Sequence, residues 1–359
     1  MGRRKTSSKP WLVVVCAALA GLFAARLQAA EVDVLALSPA QQTALLNTLN
    51  QQAQCCAAAV RPEPPRTWST PASVRLETLF SAQAGSWPFE PFAQAGLFSV
   101  LAGYQPRHPE ILVIRGGEID LPTLMREVND PAVLSQTADG YLLSYPLLIG
   151  EDAGLRVQGV KLYLNTDAGA HLINLGQLRI RQATLTHRDT RGAAGHDAFR
   201  PFVISWAGSR TYLHKARVRG LGFKGHLTHG LTLARHAQQA AGVAAPLLVV
   251  EDSEIVNLVS GIDARGARLH VRGARIEGAH LYGIDLNQSQ FLVQDSQILG
   301  VRQQDGIRIQ GNSQGLLTGN RLEQIQRSGI TLSGQRGRVD IVDNRMDGIA
   351  RSAIQLRDV

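Results

Sequence analysis

Six short segments in the C-terminal half of the chain place acidic, basic and amide side chains at the same two positions of a repeated pattern. The segments are HGLTLAR, SGIDARG, YGIDLNQ, DGIRIQG, SGITLSG and SAIQLRD, which begin at residues 229, 260, 282, 305, 328 and 352. Carboxylates can transfer protons, and a guanidinium can hold a carboxylate with two parallel hydrogen bonds. The two positions form two polar rows: Thr232, Asp263, Asp285, Arg308, Thr331 and Gln355, and Ala234, Arg265, Asn287, Gln310, Ser333 and Arg357.

These rows have two interpretations. If the segments lie side by side, the rows form a wall of polar side chains that can grip an extended polar polymer, with Arg265 and Arg308 holding its carboxylates. Alternatively, the charges only pair with one another, Asp263 with Arg265 and Asp285 with Arg308. Exposed pairs of that kind contribute about 0–1 kcal/mol to stability. The residue pattern leaves both interpretations open.

The spacing of the segments predicts the elements that position them. Their second residues, at 230, 261, 283, 306, 329 and 353, are 31, 22, 23, 23 and 24 residues apart, and a second strand-like run recurs between them. Short strands separated by turns at such a period are typical of a parallel β-helix, whose coils stack about 4.8 Å apart. Alternating aliphatic residues such as Ile284 and Leu286 then point inward, and the polar rows point outward. The sequence therefore predicts an all-β fold with the rows on one face.

The rest of the chain divides into an export signal and a mixed N-terminal region. Early basic residues, an apolar run over 11–25 and small residues after it predict a signal peptide at 1–30, with an uncleaved anchor as the alternative, and hence a periplasmic protein. Residues 31–71 predict a helical segment and a proline-rich linker. We expect a small mixed α/β cap at 72–150, with a short helix at LPTLMREVND, and the β-helix at 151–359.

Charge and cysteine content argue against several function classes. Without the signal, 32 basic residues remain against 29 acidic ones, so no nucleic-acid partner is expected. Cys55 and Cys56 are adjacent and can close only a strained ring, so no disulfide framework is expected. No three histidines or carboxylates share a coil at metal-ligand spacing, and no glycine-rich phosphate loop occurs. The sequence therefore predicts no metal and no cofactor.

Three further features are the segments RPFVISWAGSRTYL (200–213), HGLTLARH (229–236) and LYGIDLNQ (281–288), in that order and spacing. These segments carry a resemblance of residues 105–359 to the periplasmic mannuronan C5-epimerases of alginate biosynthesis. The resemblance implies a right-handed parallel β-helix and a reaction in which a base removes the C5 proton of a mannuronate unit. A cation then stabilises the growing carboxylate charge, and a tyrosine or its bound water returns a proton. Tyr282 and Asp285 match the family's tyrosine and first aspartate.

The family motif is changed at other positions. Leu286 replaces a proline, Asn287 stands where the family has its catalytic histidine, and Gln288 stands in place of a second aspartate. The family's neutralising arginine aligns near Gly311. Because a neutral amide cannot act as a base, the chain lacks the family's proton acceptor at Asn287.

The candidate site therefore has a rearranged set of residues. We expect Arg308 to neutralise a carboxylate from a shifted position, and either Tyr282, with its pKa lowered by a nearby arginine, or Asp285, buried against the sugar, to act as the base. His229 is interpreted as a turn residue. The expected catalytic residues are Tyr282, Asp285 and Arg308, and the expected substrate-binding residues are Asp263, Arg265, Asn287 and Gln310.

Two functions follow from the resemblance, and a third makes no use of it. The chain is either an active polysaccharide epimerase or related lyase, or a non-catalytic polymer-binding or assembly protein of an exopolysaccharide export pathway; a purely structural β-helix is the third. The implied partner is an anionic polysaccharide similar to polymannuronate. Export machinery is a further expected partner. Because family members continue with more coils, self-association at the C-terminal edge is expected as well.

Overall fold

The computed structural model describes residues 62–78, 110–189, 199–225, 227–235 and 242–359, and five isolated positions at 38, 40, 43, 44 and 47. The expected signal peptide at 1–30 and the pair Cys55 and Cys56 lie outside the described residues. Within the described residues, no helix has both the length and the apolar character needed to cross a membrane.

Three sheets run the length of the described chain. Sheet I contains β1 (Ser73–Thr78), β2 (Glu110–Arg115), β6 (Leu147–Ile149), β9 (Leu172–Asn174), β12 (Val203–Trp206), β15 (Gly230–Ala234), β18 (Ser260–Arg265), β21 (Ile284–Asn287), β24 (Ile307–Gln310), β27 (Ile330–Ser333) and β30 (Ile354–Arg357). Sheet II contains β3 (Glu118–Asp120), β7 (Gly154–Gln158), β10 (Gln177–Arg181), β13 (Arg210–His214), β16 (Leu247–Glu251), β19 (Arg268–Arg272), β22 (Gln290–Gln294), β25 (Gln314–Thr318) and β28 (Val339–Val342). Sheet III contains β4 (Leu134–Thr137), β5 (Gly140–Leu143), β8 (Lys161–Asn165), β11 (Thr184–Arg188), β14 (Arg217–Arg219), β17 (Glu254–Val256), β20 (Arg275–Glu277), β23 (Gln297–Leu299), β26 (Arg321–Ile325) and β29 (Arg345–Ile349).

The strands form a right-handed parallel β-solenoid of about eight turns. The repeat predicted the parallel coils, and the family resemblance implied their right hand. Each coil contributes one strand to each sheet, and the same-sheet strands of successive coils pair in parallel. The predicted register is also confirmed, because Asp285 is the Cα partner of Asp263 on one side and of Arg308 on the other. At the long 31-residue interval, the register between β15 and β18 shifts by one residue next to Gly230.

The inside of the coils is a continuous aliphatic stack. Ile262, Ile284, Ile307 and Ile330 are fully buried one above another on sheet I. A glycine precedes each of them because the space is already occupied: a Cβ on Gly283 would lie 2.5 Å from both the Gly306 carbonyl oxygen and the Ile298 side chain. The repeated Gly-Ile pair of the sequence is therefore scaffold.

The solenoid begins earlier than the boundary at 151 that the sequence suggested. β2 pairs in parallel with β6, and β3 with β7, so the first coil starts near Glu110. An inserted helix, α1 (Leu121–Val128), and the antiparallel pair of β4 and β5 interrupt this coil and hide its period. α1 starts where the Asp120 carboxylate accepts a hydrogen bond from Thr123 N at 3.0 Å.

The proline-rich segment 62–71, expected as a linker, lies across sheet II. Gln177 exchanges two hydrogen bonds with the backbone of Arg66, at 2.7 and 3.0 Å. Arg268 Nη1 donates to a Glu63 carboxylate oxygen at 2.6 Å, and Tyr212 Oη donates to the Glu63 carbonyl at 2.8 Å. Prolines favour an extended backbone with few donors of its own, and the polar side chains of sheet II bind that backbone.

A second hydrophobic cluster covers the outer face of sheet I over its N-terminal coils. It includes Ile173, Ile204 and Trp206 from the strands, and Phe202 and Phe223 from the adjoining loops. This half of the outer face is therefore closed by packing, unlike the half that carries the charged rows.

Candidate functional site

The charged residues lie on the outward side of sheet I. We call the outward residues of β18, β21, β24 and β27 the outer wall, which consists of Asp263, Arg265, Asp285, Asn287, Arg308, Gln310, Thr331 and Ser333. Neighbouring coils place these residues directly beside one another, as the strand alternation predicted. All seven candidate residues taken from the sequence therefore belong to one surface, with Tyr282 at its margin.

Tyr282, Asp285 and Arg308 form one connected unit. Arg308 donates from Nε to Asp285 Oδ1 at 2.8 Å and from Nη2 to Asp285 Oδ2 at 2.5 Å. Its remaining terminal nitrogen, Nη1, donates to the Tyr282 hydroxyl at 2.6 Å, and the guanidinium carbon lies 3.9 Å from the centre of the tyrosine ring. The arginine thus fixes both the carboxylate and the phenol.

A second unit lies one coil earlier, around Asp263. Arg265 donates from Nε and Nη2 to the two Asp263 oxygens at 3.0 and 3.1 Å. His229 Nδ1 lies 2.9 Å from Asp263 Oδ2. An ionised carboxylate can only accept a hydrogen bond, so the imidazole N–H is the donor.

His229 was not identified as a site residue from the sequence. It was interpreted as a turn residue, but in the structure its imidazole contacts the carboxylate of Asp263 in the next coil. The signal was present in the repeat, because His229 precedes its glycine just as Tyr282 precedes Gly283. Two residues that precede the glycine of a coil therefore both contact outer-wall charges.

The two carboxylates are buried, which the sequence did not predict. Asp263 is 1% exposed and Asp285 is 4% exposed, because the arginines lie over them. The expected pairs, Asp263 with Arg265 and Asp285 with Arg308, are present, but they are not the exposed surface pairs that were considered. The half-buried side chains that remain accessible include Tyr282, Asn287, Arg308, Gln310 and Ser333.

Burial and neighbouring charges separate the pKa values of the two aspartates. Burial raises the pKa of Asp285, and the charge of Asp263 adds to this effect against the hydrogen bonds from Arg308. Burial also acts on Asp263, but the His229 hydrogen bond and the Arg265 guanidinium hold its pKa below the ordinary value. Of the two, Asp285 is therefore the group closer to accepting a proton.

Tyr282 does not have the lowered pKa that the base hypothesis required. Burial raises the pKa of Tyr282, and the nearby Arg308 opposes this rise without reversing it. The phenol stays protonated at neutral pH and can donate a proton rather than take one. Among the described residues, no group of three histidines, cysteines or carboxylates is placed to hold a metal ion.

The fold and these paired charges define a right-handed parallel β-helix with a polar outer wall. Residues 203–358 match a family model described as a right-handed β-helix region. Mannuronan C5-epimerases from two Pseudomonas species align with the chain. That of P. fluorescens is 26% identical over 215 residues, which are 56% of this chain and 40% of the relative. That of P. syringae pv. tomato is 24% identical over 261 residues, which are 67% of this chain and 48% of the relative.

The chain is thus homologous to mannuronan C5-epimerases, at modest identity. It spans about half the length of those relatives. The crystal structure of the periplasmic alginate epimerase AlgG superposes with a TM-score of 0.69 and 19% identity, covering 82% of this chain and 81% of that one. At this identity, the superposition establishes the shared fold.

Proposed function

We propose that this protein binds a uronate polymer along the outer wall and acts in the periplasm as a non-catalytic component of exopolysaccharide export. The observation that carries the proposal is the alignment of two arginines, two amides and a hydroxyl over four neighbouring coils, about 4.8 Å apart. An extended sugar chain lying along the solenoid axis meets at least one accessible polar side chain at each of these coils: Arg265, then Asn287, then Arg308 with Gln310, then Ser333. The homologues act on mannuronan, which supports an anionic polysaccharide as the ligand.

The geometry of the unit around Arg308 favours binding over catalysis. Asn287 cannot take a proton, and Tyr282 has a raised pKa. Asp285 is held by two hydrogen bonds from Arg308, so it would have to leave this ion pair before reaching a sugar. No base stands ready on the outer wall at the position where the homologous motif has one.

A second candidate function is C5 epimerisation, or elimination by the same proton removal. It is favoured by one observation: Asp285 has a raised pKa and shares Arg308 with the protonated Tyr282. In this scheme the Asp285 carboxylate takes the C5 proton, the electron pair moves into the sugar carboxylate beside Arg308, and Tyr282 returns a proton to the opposite face.

The two functions are separated by measuring binding and proton exchange in the same sample. The purified protein is titrated with polymannuronate and then incubated with it in deuterated water. The proposal predicts saturable binding with no deuterium at C5 and no new guluronate signals. Deuterium at C5 that disappears in Tyr282→Phe would establish the second function, and no binding would contradict both.

The variant Asn287→His tests the reason for inactivity. If the missing imidazole alone prevents the reaction, this variant acquires C5 exchange that wild type lacks. If Asn287→His binds the polymer but exchanges nothing, the ion pair between Arg308 and Asp285 also blocks the chemistry. Contact with export machinery and self-association at the edge strand β30 stay predictions, which co-purification and sedimentation can check.

A further inference from the structure

The arginines of the outer wall are largely engaged by the protein itself. Arg308 directs three of its five donors to Asp285 and Tyr282, and Arg265 directs two to Asp263. Each of these cations is already balanced by a buried carboxylate. A uronate carboxylate binding here would meet little uncompensated positive charge from these two residues alone.

Arg327 is placed differently. It stands one residue before Ser328, at the coil that carries β27, and it is half-buried. Its Nη1 donates to the side-chain oxygen of Gln304, which is a neutral partner. Within the described ranges it forms no ion pair, and most of its donors are unused. The nearby carboxylate of Asp305 is buried and accepts its hydrogen bond from Ser328 N at 3.1 Å.

The contact with Gln304 directs Arg327 toward Tyr282. Gln304 N donates to the Leu281 carbonyl at 3.2 Å, so Gln304 lies one coil above the residue that precedes Tyr282. By reaching back to Gln304, the Arg327 guanidinium comes close enough for its charge to lower the pKa of the Tyr282 phenol, against the larger effect of burial. The charges of Asp285 and Asp305 act on Tyr282 in the opposite direction. Tyr282 therefore has two guanidinium groups in its surroundings: Arg308, which is paired with a carboxylate, and Arg327, which forms no ion pair within the described residues.

We propose that Arg327 is the residue that recognises the carboxylate of a uronate unit bound beside Tyr282, whereas Arg308 serves to hold Asp285 and Tyr282 in place. A half-exposed guanidinium with several unused donors can bind a carboxylate through two parallel hydrogen bonds. The amides of Asn287 and Gln310 and the hydroxyl of Ser333 would then contact sugar hydroxyls along the wall. This assignment rests on the proposed function and names the residue that makes binding selective for charge.

The experiment compares two polymers and two arginine variants. Wild type, Arg327→Gln and Arg345→Gln are titrated with polymannuronate and with the carboxyl-reduced polymer of the same length. Arg345 is the matched control, because it is an exposed arginine on β29 in sheet III, and its substitution removes the same charge from a different face. All three proteins are first compared by thermal unfolding to show that they are folded.

For Arg327→Gln, we expect affinity for polymannuronate to fall about 10- to 100-fold, the range of a lost charge-assisted hydrogen bond. Its affinity for the carboxyl-reduced polymer should stay within about twofold of wild type, and Arg345→Gln should leave both affinities within the same limit. Arg327→Lys keeps the charge but not the forked donors, and should lose less than Arg327→Gln.

Two results would overturn the inference while leaving the proposed function intact. One is unchanged polymannuronate binding by Arg327→Gln. The other is an equal loss for both polymers, which would mean that Arg327 only shapes the wall. Failure of wild type to bind polymannuronate would instead refute the proposed function, and this inference with it. If Arg327→Gln is unfolded, the folded variant Arg327→Lys is used instead. A change in its ratio of polymannuronate affinity to carboxyl-reduced polymer affinity supports the inference, and an unchanged ratio contradicts it, because only carboxylate recognition changes that ratio.

Discussion

The N-terminal and C-terminal halves of the outer face of sheet I share the same aliphatic scaffold but have different surfaces, apolar in the first and charged in the second. Inside, both halves stack aliphatic residues, such as Leu172 in one and Ile284 in the other, all fully buried. Outside, the N-terminal coils carry Ile173 and Ile204, whereas the C-terminal coils carry Asp263 and Asp285 in the corresponding places. The inward residues therefore set the coil, and the outward residues are free to be either a packed face or a chemical one.

Each half also buries polar groups in its own way. In the N-terminal half, His171 stacks on Phe202 with ring centres 4.7 Å apart, and burial lowers the pKa of His171 to about 4, so it is neutral. In the C-terminal half, His229 keeps a carboxylate partner in Asp263. Stability should therefore depend on shape in one half and on charge pairing in the other.

The largest expected effect is the loss of an aromatic ring from the packed half. Phe202 is fully buried against Phe199, Phe223 and His171. Phe202→Ala should lower the free energy of unfolding by about 3–5 kcal/mol, because it removes buried apolar surface and leaves a cavity. Chemical denaturation measures this change, with Gln310→Ala on the outer wall as the control, expected within about 0.5 kcal/mol of wild type. An equal loss in both variants would mean that the halves do not differ.

A smaller effect is expected from breaking a charge pair of the outer wall. Asp285→Ala removes both hydrogen bonds that Arg308 donates to the carboxylate and should cost about 1–3 kcal/mol, less than for a fully buried pair because the Arg308 side chain is 26% exposed. Arg308→Met should cost a similar amount, and the double variant should cost less than the sum. Strict additivity in this double-mutant cycle would show that the two residues stabilise the fold independently.

The neighbouring aspartates should affect the pH dependence of stability with opposite sign. The folded pKa of Asp263 is lowered, so its contribution is present above about pH 4 and is lost as the pH falls through the folded value. The folded pKa of Asp285 is raised, so its contribution is present below about pH 4 and is lost as the pH rises through the folded value.

The corresponding measurement is the difference in unfolding free energy between wild type and each asparagine variant from pH 3 to pH 7. Going from acid to neutral pH, this difference should grow for Asp263→Asn and shrink for Asp285→Asn. If the difference changes with pH in the same direction for both variants, the contacts of His229 and Arg265 do not give Asp263 a lower folded pKa than Asp285.

The sequence predicted the coil and the rows because both follow from short-range periodicity. Glycine before an aliphatic residue, alternation of side chains and a period of 22–24 residues suffice to place Asp263 beside Asp285. Burial of those carboxylates was not predictable, since it depends on how Arg265 and Arg308 fold back over the wall. The contact of Glu63 with Arg268 was missed because it joins residues 205 positions apart, one of which lies outside the repeat. The contact of His229 with Asp263 joins neighbouring coils of the repeat, and there the position before the glycine carried the signal.

The smallest expected effect concerns two threonines of the first polar row. Thr232 lies next to the packed half and Thr331 lies on the outer wall, and the hydroxyl of each is buried and forms no hydrogen bond within the described residues. Thr232→Val and Thr331→Val should each raise the free energy of unfolding, by about 1 kcal/mol, because valine keeps the shape and removes an unsatisfied polar group.

Thr211→Val is the matched control: the Thr211 hydroxyl contacts Ser205 Oγ at 2.7 Å and Asn174 Nδ2 at 3.0 Å, so this variant should lose stability. Thermal unfolding of the three variants measures these changes, and polymer affinity should stay at the wild-type value in Thr331→Val, since its hydroxyl is covered. A loss of stability in Thr331→Val but not in Thr232→Val would mean that the Thr331 hydroxyl binds an ordered partner, such as a water molecule. The outer wall would then differ from the packed half in its buried residues as well as in its accessible ones.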